Sequence, residues 1–184
     1  MNKFLHIFRA VDMVDPEKTR PAMLLAAAYG GFGFGNAGCH LCHAMSYPIS
    51  SQVRNYFAPD YPRTKPLVPH GLSVVLNAPA VFSFTGKACP DRHLEAAKVL
   101  GGKRFPVSKT AKREDAGKIL ADCVRNYMYK LGIPDGLTAI GFKPSDVDSL
   151  VDGTLPQKRL TNLSPEPVAR DALSELFENS MKAY

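Results

Sequence analysis

Apolar residues recur every three to four positions along most of this chain and seldom alternate one by one, which predicts helices and argues against strands. The clearest stripe lies in 112–131, where Ile119, Leu120, Cys123, Val124, Tyr127 and Leu131 share one helical face. A shorter amphipathic helix is expected over 91–100, stopped by Gly101 and Gly102. Near the other end, Ser145 is placed to cap a helix reaching about Asp152, and a last helix runs from about Glu166 to Met181 with Leu173, Leu176 and Phe177 inward. Upstream, Asp15, Pro16 and Glu17 read as cap, first position and acidic first turn of a helix extending to about Tyr47, with Thr19 and Pro21 as an alternative start. Pro48 ends that region. Residues 50–69 are polar and proline-punctuated, with Tyr56, Phe57 and Tyr61 as aromatics of a surface loop or lid. The apolar run 71–84 contains Pro79 and is too short for periodicity to decide between helix and strand. The fold class that follows is all-α, a multi-helix domain without internal repeats.

Composition narrows the class further. A chain of 184 residues with 45% hydrophobic content fits one domain with a proper core. The net charge of +6 is spread over scattered Lys and Arg residues with no nucleic-acid motif, so a solvated basic surface is expected and nucleic acid is not a partner. The basic residues Arg54, Arg63 and Lys65 of the loop are read as solvated in the same way, not as a dicarboxylate site. Four cysteines in a chain of this length do not make a disulfide framework, and reduced thiols are expected. Every apolar stretch is interrupted before the roughly 18 residues a membrane span needs, so a soluble protein is expected.

Candidate chemistry concentrates in residues 30–48, read with Pro69-His70-Gly71. His40, His43 and His70 are three of the chain's 5 histidines. Gly33, Gly35 and Gly38 spell the dinucleotide fingerprint, but residues 21–29 before them are strong helix formers without a β-branched residue, where the fingerprint requires a strand. Cys39-His40-Leu41-Cys42-His43 spells the pattern for covalent haem attachment, yet no cleavable signal peptide accompanies it. A third reading is a divalent metal held by His43 and His70, against the plainer possibility that each is a satisfied polar residue near the core. On a continuous helix His40, His43 and Tyr47 would share one face, whereas Phe34 falls half a turn out of phase and reaches the same pocket only through a glycine-induced irregularity. The glycines at 30, 31, 33, 35 and 38 each cost a helix about 1 kcal/mol relative to alanine, which suggests close backbone approach to a neighbour or ligand.

The runs G-F-G-N-A-G, H-L-C-H-A-M-S-Y-P-I-S and P-L-V-P-H-G-L-S-V-V-L-N-A-P-A-V-F resemble the C-terminal domain of iron-containing (group III) alcohol dehydrogenases. The likeness is contiguous from about Ala26 to Phe84 and continues more weakly through Gly153-Thr-Leu-Pro-Gln-Lys-Arg159 to Ser180-Met-Lys-Ala-Tyr184. It implies the helical domain of the dehydroquinate synthase-like fold, and makes 71–84 a buried helix kinked at Pro79. His43 matches the family's metal ligand in H-A-M, and His70 the ligand in P-H-G. Phe34 matches a substrate-pocket aromatic. Most relatives carry a second histidine where this chain has Tyr47. A transhydrogenase subgroup coupling a hydroxyacid to an oxoacid also has tyrosine there, so the departure favours that subgroup. The implied reaction oxidises 4-hydroxybutyrate to succinate semialdehyde and reduces 2-oxoglutarate to D-2-hydroxyglutarate through a tightly bound NAD, with a divalent metal, iron or zinc, as Lewis acid. Tyr47 then becomes the catalytic candidate, orienting substrate or relaying a proton.

The resemblance also implies what is missing. In the family an N-terminal α/β domain holds the nicotinamide and supplies two further metal ligands, an aspartate and a histidine, and no cofactor-binding residue is identified in this chain. His6, Asp12 and Asp15 do not reproduce that motif. The basic, amphipathic first eleven residues imitate a mitochondrial presequence, but the resemblance places them on a helix ahead of the metal helix; mitochondrial localisation is implied by the family alone. Two functions are therefore expected: a metal-dependent oxidoreductase of which this chain is a fragment, or a truncated, non-catalytic helical domain serving at most as a binding or oligomerisation module, with a homo-oligomer possible in either case.

Overall fold

The structure, a computed structural model, describes residues 16–59 and 61–184. The first-eleven-residue stretch, His6, Asp12 and Asp15 lie outside the described residues. Nine α-helices follow one another among those described: α1 Pro16–Ala37, α2 Leu41–Gln52, α3 His70–Val75, α4 Ala78–Thr85, α5 Pro90–Gly101, α6 Ala116–Lys130, α7 Val147–Thr154, α8 Lys158–Thr161 and α9 Arg170–Asn179. The only extended pairing among the described residues is an isolated parallel bridge between Phe57 and Leu67. No described helix is long and apolar enough to cross a membrane.

The core lies where α2, α4, α6, α7 and α9 converge. Leu41, Met45 and Ile49 of α2 meet Leu150 and Val151 of α7, Val81 of α4, Met128 of α6 and Leu173, Leu176 and Phe177 of α9, all buried. Fully burying such side chains stabilises by about 1.5–3 kcal/mol each. The α6 stripe is narrower than expected: Leu120, Cys123, Val124 and Tyr127 are inside, Ile119 is half-buried and Leu131 is exposed.

Helix ends depart from the sequence reading for local reasons. The helix expected to continue to Tyr47 breaks at 38–40, because Gly38 takes a left-handed φ of 76° and its N–H turns back to the Phe34 carbonyl. Pro48 does not end α2 but lies inside it, packed so closely on Gly153 of α7 that a Cβ there would stand 2.7 Å from the proline Cβ. Residues 71–84 form two helices, with Pro79 at the start of α4, where a missing N–H costs little. Ser145 is not a cap. A 3₁₀ turn at Pro144–Asp146 precedes α7, and the Asp146 carboxylate takes the Lys143 N–H and the Arg54 guanidinium. The last helix starts at Arg170, later than expected, and the short α8 had no periodic signal.

Candidate metal centre

His43 stands in the first turn of α2, flanked by buried Leu41, Cys42, Ala44 and Met45. Rotating that turn would lift these core side chains, so the imidazole direction is set by packing. His70 opens α3. The chain reaches it from 53–69, a stretch tied down by the Phe57–Leu67 bridge and by burial of Ala58 and Val68, so it behaves as a strap on the core and not as an open lid. The two rings meet edge to face, with centroids 5.2 Å apart and planes at 60°.

Asn77 joins the two supports. This fully buried side chain donates from Nδ2 to the Ser73 carbonyl at 2.9 Å and, more weakly, to the Cys42 carbonyl at 3.4 Å, linking α3 to the residue before His43. Sequence reasoning missed it. The available signal was a lone amide inside the apolar run 74–82, since a buried polar group needs partners.

A cavity of about 540 Å³ opens over the histidine pair, lined among others by Phe34, Cys39, His43, Tyr47, His70 and Arg159. The αL break at Gly38 is the irregularity that brings Phe34 to the same cavity as His43. Tyr47, one turn beyond His43, is 38% exposed and accepts a hydrogen bond from Arg159 Nη2 at 2.7 Å. His40 does not share that face: it precedes α2 as its cap residue, and its buried Nδ1 has no hydrogen-bond partner among the described residues. Of the expected loop cations, Arg54 is engaged by Asp146 at 2.6 Å, as a structural pair.

Burial, reinforced by neighbouring His70, holds the His43 imidazole below its ordinary pKa of 6.5, and burial does the same for His40, helped by His93 and His43. A neutral imidazole is the ligating form. A metal held about 2.1 Å from one nitrogen of each ring in tetrahedral geometry sets ring centroids roughly 5 Å apart, so the observed pair fits a divalent ion. It supplies only part of a ligand shell, since no group of three or more His, Cys, Asp or Glu side chains able to hold a metal occurs among the described residues.

The other two motif readings meet physical obstacles. Cys42 faces the core, and burial pushes its thiol up to about 12, so the C-x-x-C-H run does not present two reactive thiols to a haem. The G-x-G-x-x-G run lies on the last turns of α1 and the break just after it, so a helix and not a strand leads into it. A Cβ added at Gly30, Gly31, Gly33 or Gly35 would meet nothing within 4 Å, so no close approach among the described residues explains these glycines.

Residues 5–181 match the Fe-containing alcohol dehydrogenase family, C-terminal. The chain is 56% identical over 182 residues to the mitochondrial hydroxyacid-oxoacid transhydrogenase of Xenopus laevis, covering 99% of this chain and 38% of the relative. It is 51% identical over 179 residues to the protein of the same name from Homo sapiens, covering 97% of this chain and 38% of the relative. Among solved structures, an alcohol dehydrogenase from Oenococcus oeni superposes with a TM-score of 0.72 at 24% identity over 91% of this chain and 38% of its own, which speaks for the fold alone. The sequence thus spans about two-fifths of the length of these relatives, and it belongs to the Fe-containing alcohol dehydrogenase family, matching its C-terminal part.

Proposed function

We propose that this chain is the metal-binding part of an oxidoreductase that moves a hydride from a hydroxyacid to an oxoacid, in the manner named for its relatives. The observation that carries the reading is the convergence of His43 and His70 on one cavity, with centroids 5.2 Å apart. The substrates are 4-hydroxybutyrate and 2-oxoglutarate, the setting is mitochondrial, and the complete site takes its remaining ligands and a tightly bound NAD from an α/β domain outside these residues.

His43 and His70 hold the divalent ion, iron before zinc given the family. Bound there, such an ion supplies Lewis acidity toward the hydroxyl or keto oxygen of the substrate. The protein's own contributions are positional. Asn77 keeps the two histidine-bearing helices in register, and burial keeps His43 unprotonated and ready to ligate. Phe34 covers the apolar carbons of the substrate. Tyr47 orients the reacting oxygen or passes its proton: oxidation of the alcohol removes a hydride from carbon and a proton from oxygen, and reduction of the oxoacid restores both, so one hydroxyl able to donate and accept serves each half-reaction in turn.

The test uses the complete protein. His43→Ala and His70→Ala are expected to lose bound metal, read by elemental analysis, and to lose formation of 2-hydroxyglutarate by about 100-fold or more, whereas His40→Ala keeps its metal. Full metal occupancy in both ligand variants would overturn the assignment.

A further inference from the structure

Arg159 is a feature of the cavity that the metal reading leaves without a task. It sits on the short α8, which packs against α2, and its guanidinium lies over the Tyr47 ring with Cζ 5.6 Å from the centroid while Nη2 donates to Tyr47 Oη at 2.7 Å. Other arginines of the molecule find an acid: Arg54, Arg92, Arg113, Arg125 and Arg170 each pair with Asp or Glu. Arg159 pairs with no carboxylate among the described residues, and no acidic side chain among them lines the cavity. A phenol oxygen orients the guanidinium without cancelling its charge. Most of the five N–H donors of the planar fork remain to be used.

We propose that Arg159 is the carboxylate anchor of this cavity and that Tyr47 is its positioning partner. Resting on the hydride-transfer reading above, this names the recognised class: short acids whose hydroxyl or keto group lies at the end presented to His43 and His70. Two different substrates must use the same cavity in turn, and the group a 4-hydroxyacid and a 2-oxoacid share is the carboxylate. A single cation is therefore enough to recognise both. A guanidinium suits this because it meets a carboxylate with two parallel hydrogen bonds, which fixes direction as well as affinity. The hydrogen bond from Nη2 to Tyr47 Oη limits the guanidinium's swing, so less freedom is lost when the acid arrives.

The complete protein, with Arg159→Gln and Arg159→Lys, is assayed on 4-hydroxybutyrate and on 1,4-butanediol, which keeps the reacting hydroxyl and replaces the acid by a neutral group. A charge-assisted hydrogen-bonded contact corresponds to about a 10- to 100-fold change. Arg159→Gln is expected to raise KM for 4-hydroxybutyrate by that factor and to lower kcat/KM for the acid by that much more than for the diol, since any disturbance of Tyr47 through its lost hydrogen bond falls on both substrates alike. Arg159→Lys, a point charge without the fork, should fall between, and it carries the test if the glutamine variant does not fold. Equal losses on acid and diol, or an unchanged KM for the acid, overturn the proposal. Glutarate binding by calorimetry separates it from the reading beneath it. If no hydroxyacid is oxidised at all, the hydride reading fails, while loss of glutarate binding in Arg159→Gln still supports the anchor; glutarate bound equally by wild type and variant removes the anchor and leaves the oxidoreductase standing.

Discussion

His43 and His40 are three residues apart and both lie below their ordinary pKa of 6.5, chiefly through burial. A histidine that stays neutral when folded takes up its proton more readily once unfolded. Below about pH 6.5 the unfolded chain therefore binds more protons, and stability falls as pH drops through the window from 6.5 down to the lowered folded values. Above 6.5 these two groups add no slope. For this chain without metal, the urea midpoint is expected to be lower at about pH 5.5 than at about pH 7.5, and His40→Gln should remove part of the difference. A flat profile in the native chain would contradict it. Residue identity also shows why Tyr47 was legible and Arg159 was not. Tyr47 stands one helical turn from His43, the proposed ligand in a short contiguous motif, whereas Arg159 lies 112 positions along the chain from the phenol it contacts.

At the scale of elements, one glycine contact decides how closely α4 and α6 approach. Gly117 at the start of α6 lies against the end of α4: a Cβ added to it would meet the Phe82 carbonyl oxygen at 2.7 Å and the Ser83 carbonyl oxygen at 2.8 Å. These are backbone atoms and cannot swing aside. Gly117→Ala should destabilise by about 1–3 kcal/mol through overpacking despite alanine's better helix propensity. Gly31→Ala in α1, with nothing within 4 Å, should be neutral or stabilising by up to about 1 kcal/mol. Thermal unfolding of the two variants checks both, and equal midpoints would mean that α4 and α6 are not in backbone contact. The break between α1 and α2 belongs to this scale as well. One αL residue at Gly38 turns two helices about a point and places Phe34 beside the histidine cavity, a geometry that a straight helix forbids.

Over the whole molecule, α1 stands apart from the core. Leu24 is 76%, Phe32 70% and Phe34 57% exposed, an apolar array unusual for a surface helix. At the opposite end the last residues are fastened: Asp135 accepts the N–H groups of Ala183 and Tyr184 at 2.8 and 2.7 Å, and Arg125 donates to the Ala183 carbonyl at 2.7 Å. The 184-residue chain by itself is expected to be helical, to self-associate through its exposed apolar surface, and to be catalytically dead, because two imidazoles hold a divalent ion less firmly than a full ligand set. Circular dichroism, light scattering, and an assay for 2-hydroxyglutarate with iron or zinc, NAD and both substrates test this. Sustained turnover by the chain alone would show that its own residues complete the site.

Much was determined by the sequence alone. Helical periodicity marked α5, α6 and α9, because a stripe repeating about every 3.6 residues is a local property that any helix must carry. The family motifs pointed to His43, His70, Phe34 and Tyr47, because each lies in a short contiguous run. What only the tertiary structure decided depends on contacts between distant segments: that Pro48 is accommodated inside α2 against Gly153, that Asn77 ties the two histidine helices together, and that Arg159 closes over Tyr47 with no acid beside it among the described residues. Burial and charge pairing are sums over neighbours brought together by folding, and no local pattern of residue types contains them.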